Sequence, residues 1–409
     1  MSAQPATKTS ALRDAATAAP PAPPSFSLVQ GGLLFQAWRR LHLSGESLEF
    51  LRRRVLFITL LAWLPLLLLS VIDRNFDGGA IRIPFLKDLE AHVRFLVALP
   101  LLIVAEVVVH ERISPLIRRF VDHRIVAVDD VPAFNEAVRF TVRARNSIAL
   151  EAALLGLVYT LGLWLWRSEF ALDAATWYAR PDGGHIQLTL AGRWYAWVSI
   201  PIFQFLMVRW YLRMVLWFLL LWRISRLPLH LVATHPDCAG GIGFLGDSAY
   251  AFSPVLFAQG ALLSGLIANR VLYQGQNVLS FKMDAAGLVC ALALFVLGPL
   301  VVFTPQLDRA REKGEADYGL LANRYVSAFH EKWISGEEKD TPALLGSSDI
   351  QSLADVGDSY AVASDMRLVP FGRDDVLWLV AATTAPLLPL ALTMFSLQDL
   401  LTRLVKILF

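Results

Sequence analysis

Four ionisable side chains lie inside segments that are otherwise apolar enough to cross a membrane. They are Glu106 in the second such segment, Glu151 in the third, and Arg209 and Arg213 in the fourth. A charge near the centre of a bilayer costs roughly 2.5 to 3.5 kcal/mol on the insertion scale, so these side chains are expected to pair or to line a polar path. Glu151 and Arg213 lie nearer the predicted membrane surface, where a long side chain can also extend towards the headgroups.

Two functions are consistent with this set of charges. In the first, Glu106 and His110, four residues apart, are sites that exchange protons. Arg209 and Arg213 then attract or fix negative charge along a path for a small solute, an ion or a lipid. In the second, the same charges form a buried ion-pair network that holds the helices together. Both interpretations require the second, third and fourth helices to be neighbours in the fold.

A loop at 234–246, THPDCAGGIGFLG, is the second concentration of chemically active residues. Its candidate site residues are His235, Asp237, Cys238, Gly240, Gly241 and Gly243. The glycines match G-x-G-x-x-G, but no βαβ unit surrounds them, so a dinucleotide fold is rejected and only a phosphate contact stays open. The favoured interpretation is a tight loop in which glycine permits unusual backbone angles and the aspartate caps a turn.

Imidazole, carboxylate and thiolate groups in this loop are also the ligand types that a transition metal takes. Their spacing matches no standard metal site, so whether the loop binds a metal is unknown from sequence. A membrane-bound metalloenzyme built on His235, Asp237 and Cys238 is therefore a third hypothesis. The chain contains no G-x-S-x-G, no H-E-x-x-H and no Walker lysine, so no catalytic residue is assigned and an enzyme is the less favoured class.

The composition places these residues in an integral membrane protein. Of the 409 residues, 56% are hydrophobic and 18% are charged, and the mean hydropathy is +0.50. No cofactor is implied, and a formal charge of +2 gives no reason to expect nucleic acid. Two cysteines, Cys238 and Cys290, exclude a disulfide framework.

Seven segments meet the requirement of roughly twenty apolar residues for a membrane-spanning helix. They are 55–72, 94–110, 147–166, 194–222, 250–269, 285–305 and 374–395. With the N-terminus inside, the inner loops contain 24 lysines and arginines and the outer loops contain ten. The positive-inside rule therefore predicts a multi-pass membrane protein with a cytoplasmic N-terminus. One span more or fewer would move the C-terminus to the other side.

The predicted domain organisation follows from these spans. Residues 1–27 form a disordered cytoplasmic tail, 28–54 an amphipathic interfacial segment, 55–305 a six-span bundle, 306–373 a cytoplasmic helical hairpin, and 374–409 the seventh span and a C-terminal tail. The apolar stripe of the hairpin packs internally or against a partner, which leaves both a homo-oligomer and a cytoplasmic protein partner open. The fold class is an all-α integral membrane protein in a lipid bilayer.

Several stretches in the second half of the chain resemble a family of uncharacterised bacterial polytopic inner-membrane proteins. The resemblance lies in THPDCAGGIGFLG at 234–246, AQGALLSGLIANRVLYQG at 258–275 and LLGSSDIQSLADVGDSY at 344–360. The resemblance implies a location in the bacterial inner membrane and no particular activity. The leading function is thus movement or coupling of a small solute, ion or lipid between spans two, three and four. The alternative is a non-transporting scaffold or signalling subunit that binds a partner through 306–373.

Overall fold

The chain is mostly helical in the computed structural model, which describes residues 26–29, 31, 51–76, 83–165, 176–182, 185–335 and 348–392. In chain order the principal helices are α1 (Leu51–Ile72), α2 (Leu89–Asp122), α3 (Val131–Arg145), α4 (Ile148–Gly162), α5 (Leu190–Ile224), α6 (Ser253–Gln274), α7 (Lys282–Leu297), α8 (Thr304–Trp333), α9 (Ser348–Ser364) and α10 (Arg373–Thr384). Short helical turns lie at Phe85–Lys87, Val128–Asp130, Leu163–Leu165, Gly243–Gly246, Asp247–Ala251, Val278–Phe281, Gly298–Phe303, Ala385–Leu387 and Leu388–Leu392. One antiparallel hairpin pairs β1 (Ala179–Asp182) with β2 (His185–Leu188).

Five helices in the described ranges are long and apolar enough to cross a membrane. They are α1, α2, α5, α6 and the continuous helical run Val278–Trp333, which contains α7 and α8. These five correspond to predicted spans one, two, four, five and six, so the all-α, membrane-type fold is confirmed. The third predicted span falls on α4, which is apolar but shorter, and the seventh falls on α10 and the turns that follow it. The count of seven spans stays a prediction.

Helix α1 is apolar on the face that points away from the protein. Its outward row of leucines is between about a third and a half exposed, at positions Leu56, Leu60, Leu64 and Leu68. Its inward row is buried and contains Arg54, Ile58, Ala62, Leu66 and Ser70. In water this arrangement would leave a large apolar surface uncovered, whereas lipid tails cover it without cost. The exposed leucines therefore indicate a lipid-facing surface.

Helix α5 lies at the centre of the first half of the chain and contacts α1, α2, α3 and α4. Its two largest inward side chains, Trp210 and Trp217, are completely buried. The helices that carry the intramembrane charges are therefore neighbours, as both functional interpretations require. α2 and α4 each contact α5 directly.

Each of these three helices contains a π-helical stretch. The stretches are Val93–Ala98 in α2, Val158–Gly162 in α4 and Tyr195–Ser199 in α5. A π-helical turn widens the helix by one residue and is found most often at functional sites. All three stretches lie towards the ends of the helices that the charge distribution predicts to face outwards.

Helices α8 and α9 pack against each other. The Tyr325 hydroxyl donates to the Asp349 carbonyl oxygen over 3.1 Å, and the Trp333 indole Nε1 donates to the Asp349 carboxylate over 3.0 Å. Residues 336–347, which connect the two helices, lie outside the described residues. The cytoplasmic hairpin over 306–373 therefore stays a prediction.

Most of the predicted disordered tail, the interfacial segment 28–54 and the C-terminal tail beyond residue 392 also lie outside the described residues. The assignments of these three segments stay predictions. Phe26, Leu28 and Val29 are each at most 4% exposed and belong to the main hydrophobic core. Their apolar side chains are packed among the helices.

Candidate functional site

Glu106 is the centre of a buried group of charges on α1, α2, α4 and α5. Its Oε1 lies 2.7 Å from an Arg213 guanidinium nitrogen and 3.6 Å from one of Arg209, while its Oε2 pairs with Arg54. The carboxylate is only 6% exposed. A buried carboxylate needs such partners, because burial without compensation costs several kcal/mol per ion.

A second carboxylate, Glu151, completes the group. Its Oε1 lies 3.7 Å from Arg209, and its side chain is 6% exposed. Glu151 lies in the first turn of α4, which begins after Ser147, whose hydroxyl accepts from the Leu150 backbone N–H. The positive end of the helix dipole therefore also stabilises this negative charge.

We name these five residues the charge cluster: Arg54, Glu106, Glu151, Arg209 and Arg213. Each is at most 6% exposed. Among the described residues, three guanidiniums face two carboxylates, so this part of the chain contributes an excess of one positive charge to the charge cluster. A buried excess of positive charge attracts anions or electronegative oxygen atoms.

Arg209 and Arg213 also donate to backbone carbonyl oxygens of the N-terminal segment, which we define as residues 26–29 and 31. The Gly31 carbonyl oxygen accepts from Arg209 over 3.1 Å, and the Val29 carbonyl oxygen accepts from Arg213 over 3.5 Å. Arg145 donates to the Ser27 carbonyl oxygen. Backbone carbonyl oxygens therefore lie next to the guanidiniums, in the positions where the oxygens of an anion would otherwise bind.

His110 lies beside this segment and makes no ion pair with the carboxylates among the described residues. Its Nδ1 is 3.3 Å from the Ser114 hydroxyl, which in turn donates to the Phe26 carbonyl oxygen over 2.6 Å. Glu106 and His110, the predicted proton-exchange pair, lie on one face of α2. Glu106 forms ion pairs with arginines, whereas His110 is hydrogen-bonded to Ser114.

Two buried tryptophans of α5 border the charge cluster. The Arg213 guanidinium lies 4.7 Å from the centre of the Trp210 ring, and the Trp210 Nε1 donates to the Leu102 carbonyl oxygen over 2.8 Å. The Trp217 Nε1 is buried and has no acceptor among the described residues. Because Trp217 follows Arg209 and Arg213 at four-residue spacing, the three donors form one row along α5.

The structure brings together the four charged residues that the sequence predicts as a set, Glu106, Glu151, Arg209 and Arg213. Glu151 and Arg213 are both buried within the protein, and each forms an ion pair with an oppositely charged member of the set. The sequence analysis missed Arg54, because it lies in a basic run just before the first span. The sequence feature that could have identified Arg54 is its spacing, because Arg54, Ala62 and Ser70 lie at multiples of four residues on the buried face of α1.

The loop at 234–246 is organised around the Asp237 carboxylate. One oxygen accepts from the backbone N–H groups of Ala239 and Gly241 over 2.8 and 3.1 Å, and the other accepts from that of Gly243 over 2.8 Å. Burial raises the pKa of this carboxyl, but the three N–H groups and the His235 side chain outweigh that effect and lower the pKa below its ordinary value. Asp237 therefore acts as the predicted cap of the loop.

These contacts bear on the other interpretations of the loop. The N–H groups of Gly241 and Gly243, which a phosphate would need, are bonded to Asp237. In the described ranges, no group of three or more His, Cys, Asp or Glu side chains is placed to hold a metal ion. Gly240 and Gly241 have positive φ, as does Cys238, so the predicted glycine requirement is met at two positions.

The loop is fixed to the segment that follows α9. Arg367 donates its backbone N–H to the Cys238 carbonyl oxygen and its guanidinium to the Asp237 carbonyl oxygen, each over 2.7 Å. Gly246 packs beside the Asp375 carboxylate at the start of α10. The loop therefore joins distant parts of the second half of the chain.

Comparison with known proteins finds no matching family model, no matching curated protein and no matching solved structure. Function is therefore argued from the charge cluster itself.

Proposed function

We propose that this protein binds and moves a small anionic solute or ion along a polar path between α2, α4 and α5. The observation that carries the proposal is the charge cluster, in which three guanidiniums share two carboxylates deep among lipid-facing helices. If the charges served only to hold helices together, an equal number of each sign would neutralise them at lower cost. The unmatched positive charge is what an anion-binding site requires.

The proposed path continues along the donor row of α5. Arg209, Arg213 and Trp217 are spaced four residues apart, and the indole N–H of Trp217 is a buried donor with no acceptor in the described part of the chain. A buried indole N–H at this position can donate to a water molecule or an anion in the path. The π-helical stretches in the same three helices support this location for the path.

The N-terminal segment acts as the closing element in this proposal. Its carbonyl oxygens accept from Arg209, Arg213 and Arg145, so an arriving anion competes with them for the same donors. We place the protein in a bacterial inner membrane with seven spans and a cytoplasmic N-terminus. This orientation would put the closing segment at the inner mouth of the path, and the uneven distribution of lysine and arginine supports it.

Thiol labelling tests whether water and anions reach the path. A single cysteine is introduced as His110→Cys after Cys238→Ala and Cys290→Ala, and is treated in membranes with sulfonatoethyl or trimethylammonioethyl methanethiosulfonate. The anionic reagent should react faster than the cationic one because of the excess positive charge. Deleting residues 1–31 should accelerate both. Leu66→Cys, which is completely buried on α1, is the control that should stay unreactive.

Flux measurements test transport itself. Proteoliposomes are assayed for uptake of chloride, phosphate and acetate as probe anions. Trp217→Phe removes the unmatched N–H without breaking a hydrogen bond in the described residues, so it should slow uptake while preserving stability. An inaccessible His110→Cys, together with no uptake of any probe, would show that the charge cluster only holds helices together.

A second candidate function rests on a different surface. Helices α8 and α9 expose Leu320, Leu321, Val326 and Ile350 by 47 to 53% each. Such a patch is typical of a binding surface. It supports a scaffold or signalling subunit with a protein partner, of which a second copy of the chain can be tested directly. If Leu321→Ser with Val326→Ser changes the oligomeric state and leaves anion uptake unchanged, the surface serves association rather than transport.

A further inference from the structure

A second polar groove lies away from the charge cluster, where the end of α5 meets the beginning of α8. Its cavity has a volume of about 450 Å³. The residues that line it include Trp222, Arg226, Val301, Val302, Gln306 and Arg309. The groove therefore combines two cationic side chains with apolar ones in a single depression.

The two arginines of the groove have no carboxylate partner among the residues that the structure describes. In the described part of the chain, neither Arg226 nor Arg309 forms an ion pair. The Arg226 guanidinium lies 5.2 Å from the centre of the Trp222 ring, a distance at which the ring attracts a cation. Both guanidinium groups are thus available to bind an anion, and their planar donors suit the oxygens of a phosphate.

Gln306 adds an acceptor to the groove. Its side-chain nitrogen donates to the backbone carbonyl oxygens of Ser225 and Leu227 over 2.6 and 2.9 Å, which fixes the amide in place. Its Oε1 is buried and accepts no hydrogen bond from the described residues. A ligand that carries both a negative phosphate and a hydroxyl donor would satisfy the arginines and this oxygen together.

The apolar wall of the groove lies at the membrane surface. Val301 and Trp222 are 47 and 41% exposed, and they stand where the apolar parts of the α7–α8 run and α5 give way to charged sequence. Tryptophan is enriched at this level of the bilayer, and a lipid places its phosphate there and its acyl chains below. The cation distribution predicts this end to be cytoplasmic.

We propose that this groove binds one anionic phospholipid with a hydroxyl-bearing headgroup, such as phosphatidylglycerol. The phosphate lies between Arg226 and Arg309, a headgroup hydroxyl donates to the Gln306 Oε1, and an acyl chain lies against Val301 and Val302. The site is independent of the anion path, since it shares no residue with the charge cluster.

Native mass spectrometry of the purified full-length protein in a neutral detergent tests the proposal. Dioleoylphosphatidylglycerol and dioleoylphosphatidylcholine are titrated separately, and one phosphatidylglycerol should bind more tightly than phosphatidylcholine. The double change Arg226→Gln with Arg309→Gln should weaken phosphatidylglycerol binding roughly 25-fold, from about a fivefold contribution per arginine. Arg226→Lys with Arg309→Lys keeps both charges and should retain most of the affinity.

A matched control removes the same charge elsewhere. Arg118→Gln with Arg324→Gln changes two exposed arginines outside the groove, and should leave the affinity of the tight site unchanged. Equal weakening by the two glutamine pairs would overturn the proposal. So would equal binding of the two lipids by the unaltered protein, a comparison that does not depend on any variant folding. Displacement of the lipid by millimolar glycerol 3-phosphate would also overturn it, because the site would then take a free phosphate.

Discussion

Removing Glu106 should destabilise the protein more than removing Arg54, although each change breaks the same ion pair. The charge cluster contains three guanidiniums and two carboxylates. Glu106→Gln leaves one carboxylate for three guanidiniums and raises the excess to two positive charges. Arg54→Gln leaves two guanidiniums and two carboxylates, which brings the excess positive charge to zero. The two variants therefore change the electrostatic balance in opposite directions.

The expected magnitudes follow from the contacts of each side chain. Breaking a buried ion pair by removing one partner costs roughly 3–5 kcal/mol, and Glu106 should lie at the upper end because it serves three arginines. Arg54→Gln loses the pair with Glu106 and a 3.5 Å contact to the Ile103 carbonyl oxygen, and should cost about 2 kcal/mol. The double variant restores an excess of one, so its cost should fall about 1–2 kcal/mol below the sum of the single changes.

Unfolding of the purified protein in mixed micelles, titrated with SDS and followed by tryptophan fluorescence, measures these differences. Arg118→Gln, an exposed arginine on the same helix as Glu106, is the control and should change the free energy of unfolding by no more than about 0.5 kcal/mol. Strict additivity of the two changes, or a Glu106→Gln cost as small as the control, would refute the electrostatic reasoning. The buried charges would then have no energetic coupling.

Other predictions concern glycine packing, pH and the hairpin. Gly260→Ala places a methyl group against the Thr383 carbonyl oxygen and should lower the free energy of unfolding by about 1–3 kcal/mol. Gly287→Ala on α7 meets open space and should raise the free energy of unfolding by up to about 1 kcal/mol. Thermal unfolding in detergent compares the two variants. Because the folded pKa of Asp237 is lowered, its carboxylate stabilises the protein above about pH 4 and this contribution is lost as the pH falls through the folded pKa. Asp237→Asn should therefore show a smaller decline in unfolding free energy from pH 7 to pH 3. Trp333→Phe removes the indole hydrogen bond to α9 and should weaken the α8–α9 contact by about 1 kcal/mol, measured as faster amide exchange in α9.

The fold class and the set of charged residues could be predicted because both depend on local sequence. Runs of apolar residues specify helices in lipid, where the backbone has no other hydrogen-bond partner. Charges inside such runs are costly enough to be noticed one by one, which is why Glu106, Glu151, Arg209 and Arg213 were recognised together.

What could not be predicted depends on contacts between distant parts of the chain. In the sequence, Arg54 belongs to a basic run that indicates the orientation of the first span. Its ion pair with Glu106 depends on the packing of α1 against α2, which the local sequence does not specify. The N-terminal segment has no helical or strand periodicity, so nothing local indicates that its carbonyl oxygens bond to α5. The loop at 234–246 was predicted as an aspartate-capped turn, but its attachment to Arg367 lies far along the chain.

The length of α8 has a mechanical consequence. Thirty residues at 1.5 Å each make a rigid rod about 45 Å long, which begins directly after the 3₁₀-helical joint at Gly298–Phe303. A tilt of about 5° at that joint displaces the far end near Trp333 by about 4 Å. Helix α9 moves with the rod because the two helices pack together, and Arg367 then transmits the motion to Asp237. A small tilt of α8 at this joint would therefore produce a larger displacement of its far end, and would also move the loop that Arg367 contacts.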